Sequence, residues 1–534
     1  MLKKSILRYF ADEKFTLKLS SFSPHELSRV VLRAVKEKRS DISFWKCVIA
    51  RANAIADQLQ PYDISVIVYG LGRMRYRDKD LLLNLAARSI PHLSAMSLND
   101  ISHLLAGFAR VEVRNDLLFD LASREIGKKL NTCKSLAEIS NILCSYVSLN
   151  YEHPLLFSAL GKRTIFLLPL TKDCPSREFS TLVESFAKSE YEDPKLFALF
   201  SSEICRRMDE LTVVAIARIS SAFSKRGLLG ENLFLNELIL DECFKRRMEF
   251  DAVSASLLLH SVIEGEAKSK ISLLAEYFIA DFSRKGVGKF DLSSLALLAS
   301  ALGRYHVIEG SSGPTADETK LFISIGDKVA GLADQLDQSN IALLVRGFAD
   351  VGVRHGPFLF NVPNHVKGLV DEMSLCELGM VFKGYADFAI RNDVLLDCVP
   401  PRVSQLLESP EKSIISVDEI YTLANRVERR GEVKKNASAV LDILESLAIL
   451  MVSQKRLADS LVEYLDHHKE LLTDKDLLER LPKSVNMLRS RCPESLLLYI
   501  KERSTVSTST LALDQSVQGE LKQLLANRQR TLVT

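Results

Sequence analysis

The chain has 534 residues, 47% of them hydrophobic and 26% charged, with 70 Lys and Arg against 68 Asp and Glu. That apolar content excludes a disordered chain, and a formal net charge of +2 excludes a general polycation. Only 15 Pro and 23 Gly, with few strand-like runs, point to an all-helical protein.

Residues 1–22 open with MLKKSILRYF, where Lys3, Lys4 and Arg8 stand among Leu2, Ile6, Leu7 and Phe10 with no acid before Asp12. This segment is expected to direct the chain to mitochondria. From residue 23 a helical hairpin recurs, and its clearest copy is 97–121. Ser97-Leu98-Asn99-Asp100 has the form of a capping box, in which the hydroxyl accepts from the third amide and the acid returns the bond. Ile101, Leu104, Leu105, Phe108 and Val111 then mark the apolar stripe of a first helix. Arg114-Asn115-Asp116 interrupts it, and Leu117, Leu118 and Leu121 begin a second.

Sliding this template along the chain places anchors equivalent to Ile101 at Leu27, Ile64, Ile139, Phe179, Ile216, Ala255, Leu295, Ile341, Leu378 and Ile420. The commonest step is 37 residues. The expected fold is therefore an α-solenoid of about eleven helix-turn-helix repeats over 23–452, because two such helices cannot bury their apolar faces without neighbours. Capping boxes with both halves start at Ser23, Ser97, Ser135, Ser374 and Ser416. Aromatics recur seven residues after the anchor (Phe108, Tyr146, Phe186, Phe223, Phe348, Tyr385) and eighteen after it (Phe119, Phe157, Phe197, Phe234); on this stripe they are read as core.

The Gly/Ser/Pro-rich stretch 308–320 is expected to be a surface loop inside the eighth copy. Residues 453–502, with Pro482 and Pro493 as breaks, are expected to form a helical cap out of register with the repeats. Residues 503–534 read as a Ser/Thr linker and one amphipathic helix, a docking tail.

Nine scattered cysteines without a CxxC point to free thiols. No phosphate-cradling, nucleophile-elbow or zinc-protease motif occurs, and the ten histidines lack ligand spacing, so no enzyme, metal or cofactor is expected. No apolar run is long enough to span a bilayer.

The informative pattern is a basic ladder. Nine residues after the anchor stand Lys36, Arg73, Arg110, Lys188, Lys225, Arg304 and Arg429, at one structural position near the end of each first helix. Copies nine and ten have Asp350 and Asp387 there, with Arg346 and Lys383 one turn earlier, making i, i+4 pairs with those acids. Arg77 and Arg114, with Arg354 and Arg391, form a second row at the interhelix turn. Stacked repeats would line these cations up for a phosphate backbone. Complementing the helix dipole explains their sign equally well, at about 0.3–1 kcal/mol each. One residue after the anchor Ser28, Ser65, Ser102, Ser140, Ser180 and Ser256 recur, which close packing accounts for. The next position varies, and Arg29, His103 and Asn141 are candidates there for base edges. Residues 1–130 carry 22 Lys and Arg against 14 Asp and Glu, an asymmetry that favours a polyanion partner for the N-terminal copies.

The repeat at Asp100 to Arg114, DISHLLAGFARVEVR, and its counterpart at Asn340 to Arg354 resemble heptatricopeptide repeats, the group that includes octotricopeptide and FAST-kinase-like organellar proteins. The resemblance covers 23–451. It implies an α-solenoid that binds RNA in mitochondria or plastids, in processing, stability or ribosome assembly; in some protists such proteins are fixed parts of the mitochondrial ribosome. Many relatives end in a RAP domain, and no strand-rich acidic segment here matches one, so a nucleolytic role is not expected. The expected function is a mitochondrial-matrix RNA-binding protein, a component or assembly factor of the mitochondrial ribosome contacting rRNA. Its expected partners are RNA, either rRNA or organellar transcripts, and other proteins of a ribonucleoprotein complex. The rival expectation is a protein-protein scaffold of HEAT or armadillo type.

Overall fold

In the computed structural model every anchor that falls on a described residue lies in a helix. The structure describes residues 19 and 21–503, other than 172–173, 190, 264–267, 311–312, 409–422, 453, 470–474, 489 and 491; side chains at 230–231, 423–434, 475–479 and 501–503 are also excluded. The N-terminal segment, Ile420, Ser416, Arg429 and the terminal helix therefore lie outside the described residues. Among the described residues there is no strand.

The chain forms two compact units, 1–228 and 229–534. In unit one the first helices of successive hairpins are α1 (Pro24–Lys36), α3 (Pro61–Arg73), α5 (Leu98–Arg110), α7 (Leu136–Ser148), α9 (Ser176–Lys188) and α11 (Val213–Lys225). Their partners are α2 (Ile42–Ala54), α4 (Lys79–Ser89), α6 (Asp116–Lys129), α8 (Pro154–Leu167) and α10 (Pro194–Arg206). Each first helix packs on the next first helix, as an α-solenoid requires.

Unit two opens with α12 (Leu233–Lys245). Its first helices are α13 (Ala252–Val262), α15 (Leu292–Glu309), α17 (Gln338–Val351), α19 (Leu375–Asp387), α21 (Leu423–Ile449) and α23 (Lys475–Leu488). Alternating with them are α14 (Lys268–Lys285), α16 (Ala316–Ala330), α18 (Gly356–Leu369), α20 (Asp393–Glu408), α22 (Lys455–His467) and α24 (Glu494–Arg503). The same first-on-first packing runs from α13 to α23.

One turn geometry joins the two helices of a hairpin. Eleven residues after the anchor the backbone enters the left-handed region, at Lys38, Arg75, Glu112, Asn150, Gly227, Gly352 and Ala389. At all of these but Gly227 the following amide then donates to the carbonyl seven after the anchor, as Val113 does to Phe108 at 3.1 Å and Ile390 to Tyr385 at 2.9 Å. Fourteen residues after the anchor a side chain caps the second helix: Asp78 accepts from the Leu81 amide, Asn115 from Leu118 and His355 from Phe358.

The left-handed turn corrects the eleventh copy, although Gln454, fourteen after the new anchor, makes no side-chain cap. Met451 has φ 52°, and eleven residues before it Val440 is fully buried with Ile443, Leu444 and Leu447, so α21 is anchored at Val440. Leu481 of α23 follows 41 residues later, within the range of earlier steps, and Pro482 sits inside that helix rather than ending it. The stretch 308–320 is also mostly helical. Only 310–315 link α15 to α16, whose start is fixed by a Thr315/Glu318 capping box.

The aromatics seven after the anchor are all buried, and Tyr146 and Tyr385 donate to the carbonyls of Phe119 and Leu359 in the preceding hairpin, each at 2.6 Å. Phe234 is the exception, 71% exposed. The cap of α12, Asn232, lies sixteen rather than fourteen residues after its anchor, so the buried place four after the cap falls on Asn236 instead. Ser135 keeps only half its box: it accepts from Ala137, while Glu138 accepts from the Cys133 thiol.

Candidate nucleic-acid interface

The positions two, five and nine after each anchor fall on one stripe of the first helix. In unit one this stripe lines an elongated cleft of about 370 Å³ that runs over α3, α5, α7, α9 and α11. Arg73 and Arg110 enter it from the ladder, and Asn141, Thr181 and Arg218 from the position after the recurrent serine. Tyr69, Arg177 and Glu178 complete its polar lining. The serines themselves are buried between helices.

Arg110 is the group on which the cleft centres. Its guanidinium lies 5.0 Å from the Tyr69 ring centre, and the other side of this corner is a Tyr69–His103 ring pair at 4.4 Å. Its Nη1 is buried and has no hydrogen-bond partner among the described residues. Burial pulls the Arg110 pKa below its ordinary value, and the neighbouring Arg73 acts in the same direction. Burial likewise lowers His103. A buried guanidinium without a carboxylate is unfavourable alone, and an anion entering the cleft would relieve it. Arg73 and Arg177 also have no carboxylate partner among the described residues, and Arg177 is exposed.

Further along, Glu184 is shared by Lys188 at 2.7 Å and Arg218, which also donates to Thr181 at 3.2 Å. Burial raises the Glu184 carboxyl, but the two cations outweigh it and hold it below its usual range. Lys36, Lys225 and Arg29 are exposed on the same unit.

The remaining ladder residues have other surroundings. Arg304 donates to His260 Nδ1 and its carbonyl at 2.7 and 3.2 Å. Arg346 is held between Asp350 and Asp387, and Lys383 between Asp387 and Glu445. The second row ties neighbouring turns together: Arg77 reaches the Glu112 carbonyl at 3.5 Å, Arg354 that of Phe388 at 2.6 Å, and Arg114 pairs with Asp116 over the Tyr151 ring.

Sequence reasoning missed Tyr69 and Arg177, and placed Thr181 and Arg218 at the same variable position as Asn141 without choosing them as site residues. Tyr69 and Arg218 sit five and two residues after their anchors, the helical neighbours of a position nine after, so the i, i+3/i+4 spacing was the available signal. Among the described residues no cluster of His, Cys, Asp or Glu is arranged to hold a metal, and no helix is long and apolar enough to cross a membrane.

Residues 4–264, just under half of the chain, match the family described as RNA-editing substrate-binding complex 6 protein. No curated protein sequence matches the chain. The matched stretch contains the whole cleft, and its description names an RNA-editing complex where the sequence pointed to a ribosome.

Proposed function

We propose that this chain is an RNA-binding helical-repeat protein that holds RNA in the cleft of unit one, as part of an RNA-editing substrate-binding assembly in mitochondria. The observation that carries the reading is Arg110, a half-buried arginine beside Tyr69 and Arg73 whose Nη1 is buried and unmet and which has no carboxylate partner among the described residues. Charge supports it. Residues 1–228 hold 34 Lys and Arg against 25 Asp and Glu, while 229–534 hold 36 against 43. The similarity to a family named for binding RNA-editing substrates covers the same unit and favours that setting over a mitochondrial ribosome.

The chemistry is electrostatic and positional. Cations in the cleft neutralise phosphates and release counterions, so affinity for single-stranded RNA should fall with salt at a log-log slope of about −0.7 per phosphate contacted. Arg73→Gln with Arg110→Gln should flatten that slope by roughly 1.4, read by fluorescence anisotropy across a salt series. An unchanged slope would remove the cleft from the reading. A protein scaffold without RNA contact predicts no binding at physiological salt by either protein.

A further inference from the structure

The equivalent stripe of the first helices in unit two has the opposite outcome. There it carries a row of side chains that alternate in sign across α17, α19, α21 and α23. Asp350 pairs with Arg346, which reaches Asp387 at 2.9 Å; Asp387 pairs with Lys383 at 2.5 Å; Lys383 reaches Glu445 at 3.5 Å. Glu445 pairs with Arg480, which also meets Asp442 at 2.7 Å. Three cations are thus bracketed by four carboxylates. The side chains are not free to swing away, since Asp350 is 5% and Lys383 12% exposed.

Each cation already holds carboxylate oxygens where a phosphate would have to bind. A strand entering here would displace acids that remain close by, half-buried and charged. Burial raises the Asp350 and Asp442 carboxyls above their ordinary range, so these acids are poorly solvated and rely on their cations. In unit one the corresponding residues are Arg73 and Arg110 nine after the anchor and Tyr69 and Ala106 five after it, so the cation has moved back one turn in unit two and an acid has taken its place.

We propose that Asp350 and Asp387 exclude RNA from unit two: they make the stripe whose counterpart binds RNA in unit one a self-neutralised strip that rejects polyanions. This rests on the RNA-binding reading above. It assigns Arg346 and Lys383 to the strip and removes them from the RNA contacts that the ladder suggested.

The test uses the full-length protein, a short and a long single-stranded RNA, and a salt series. Asp350→Asn with Asp387→Asn keeps shape and removes both charges, freeing Arg346 while Lys383 keeps Glu445. The expected result is a long-RNA affinity raised several-fold, with a slope steeper by about 0.7 and short-RNA binding unchanged. As a second variant, Arg346→Gln with Lys383→Gln should leave RNA affinity and slope as in the unmodified protein. Unchanged long-RNA binding in a folded Asn variant, or weakened binding in the Gln variant, would overturn the inference while leaving unit one as the RNA site. Absence of RNA binding by the unmodified protein would instead overturn the reading on which it rests.

Discussion

Arg110 and its neighbours show how far one side chain's setting decides its use. Ladder residues of the same type end as an unmet buried donor at Arg110, a bonded partner of His260 at Arg304, and a shared ion pair at Lys188. The titrating residues that matter most for stability lie elsewhere. Burial pushes the thiols of Cys133 and Cys492 up to about 11 and raises the phenols of Tyr146 and Tyr385. The unfolded chain loses these protons near the ordinary thiol and phenol values of about 8.5 and 10, whereas the folded chain keeps them. The stability they support is complete below pH about 8.5 and drains away above it. The urea midpoint should therefore fall between pH 7.5 and 10, and Cys133 should resist iodoacetamide at pH 8 until urea is added. Fast labelling of folded Cys133 would contradict its burial.

Between elements, two contacts set how closely hairpins stack. A Cβ on Gly107 would lie 2.4 Å from the Val68 carbonyl oxygen, and one on Gly72 2.6 Å from the Gly107 Cα, so α3 and α5 touch backbone to backbone. Gly303 and Gly347 repeat the arrangement between α15 and α17. Gly107→Ala must push the helices apart; overpacking of about 1–3 kcal/mol outweighs the ~1 kcal/mol that alanine gains in a helix. Glu112→Gly should act in the opposite direction. Glu112 holds φ 54°, a conformation that costs a side-chain-bearing residue roughly 1 kcal/mol and glycine almost nothing. Denaturant midpoints should move down for the first and up for the second, and a midpoint lowered by Glu112→Gly would refute the shared turn. The basic residues of second helices also act here: Arg51, Arg163 and Arg402, each twenty-four after its anchor, donate to carbonyls of the loop before their own hairpin.

At the scale of the molecule, charge and chemistry divide between the two units. Unit one holds the open cationic cleft and the excess of Lys and Arg; unit two holds the closed strip and the excess of acid. Ultraviolet crosslinking of bound RNA followed by peptide mapping should place adducts in 1–228, with Tyr69 the aromatic of the cleft, and none on α17 or α19. Adducts spread evenly over both units would contradict the division.

The recurring hairpin was legible in the sequence because a helix must repeat its apolar side chains every three to four residues, and a cap must sit at its start. Ile101, Leu104, Leu105 and Phe108 therefore announced their helix, and the ladder announced its position on it. The register of the eleventh copy was not legible, since the apolar residues near Ile420 imitate the spacing that Val440 supplies in the fold. The sequence separated Arg110 from Arg346 only in part. The i, i+4 acid Asp350 beside Arg346 was legible along one helix. The carboxylate from a neighbouring helix was not: Asp387 lies 41 residues from Arg346 in sequence yet 2.9 Å away, and no such acid reaches Arg110 among the described residues. Local chemistry and periodicity settle which residues form helices; only tertiary packing brings distant charges together, and so decides which cations remain available to a ligand.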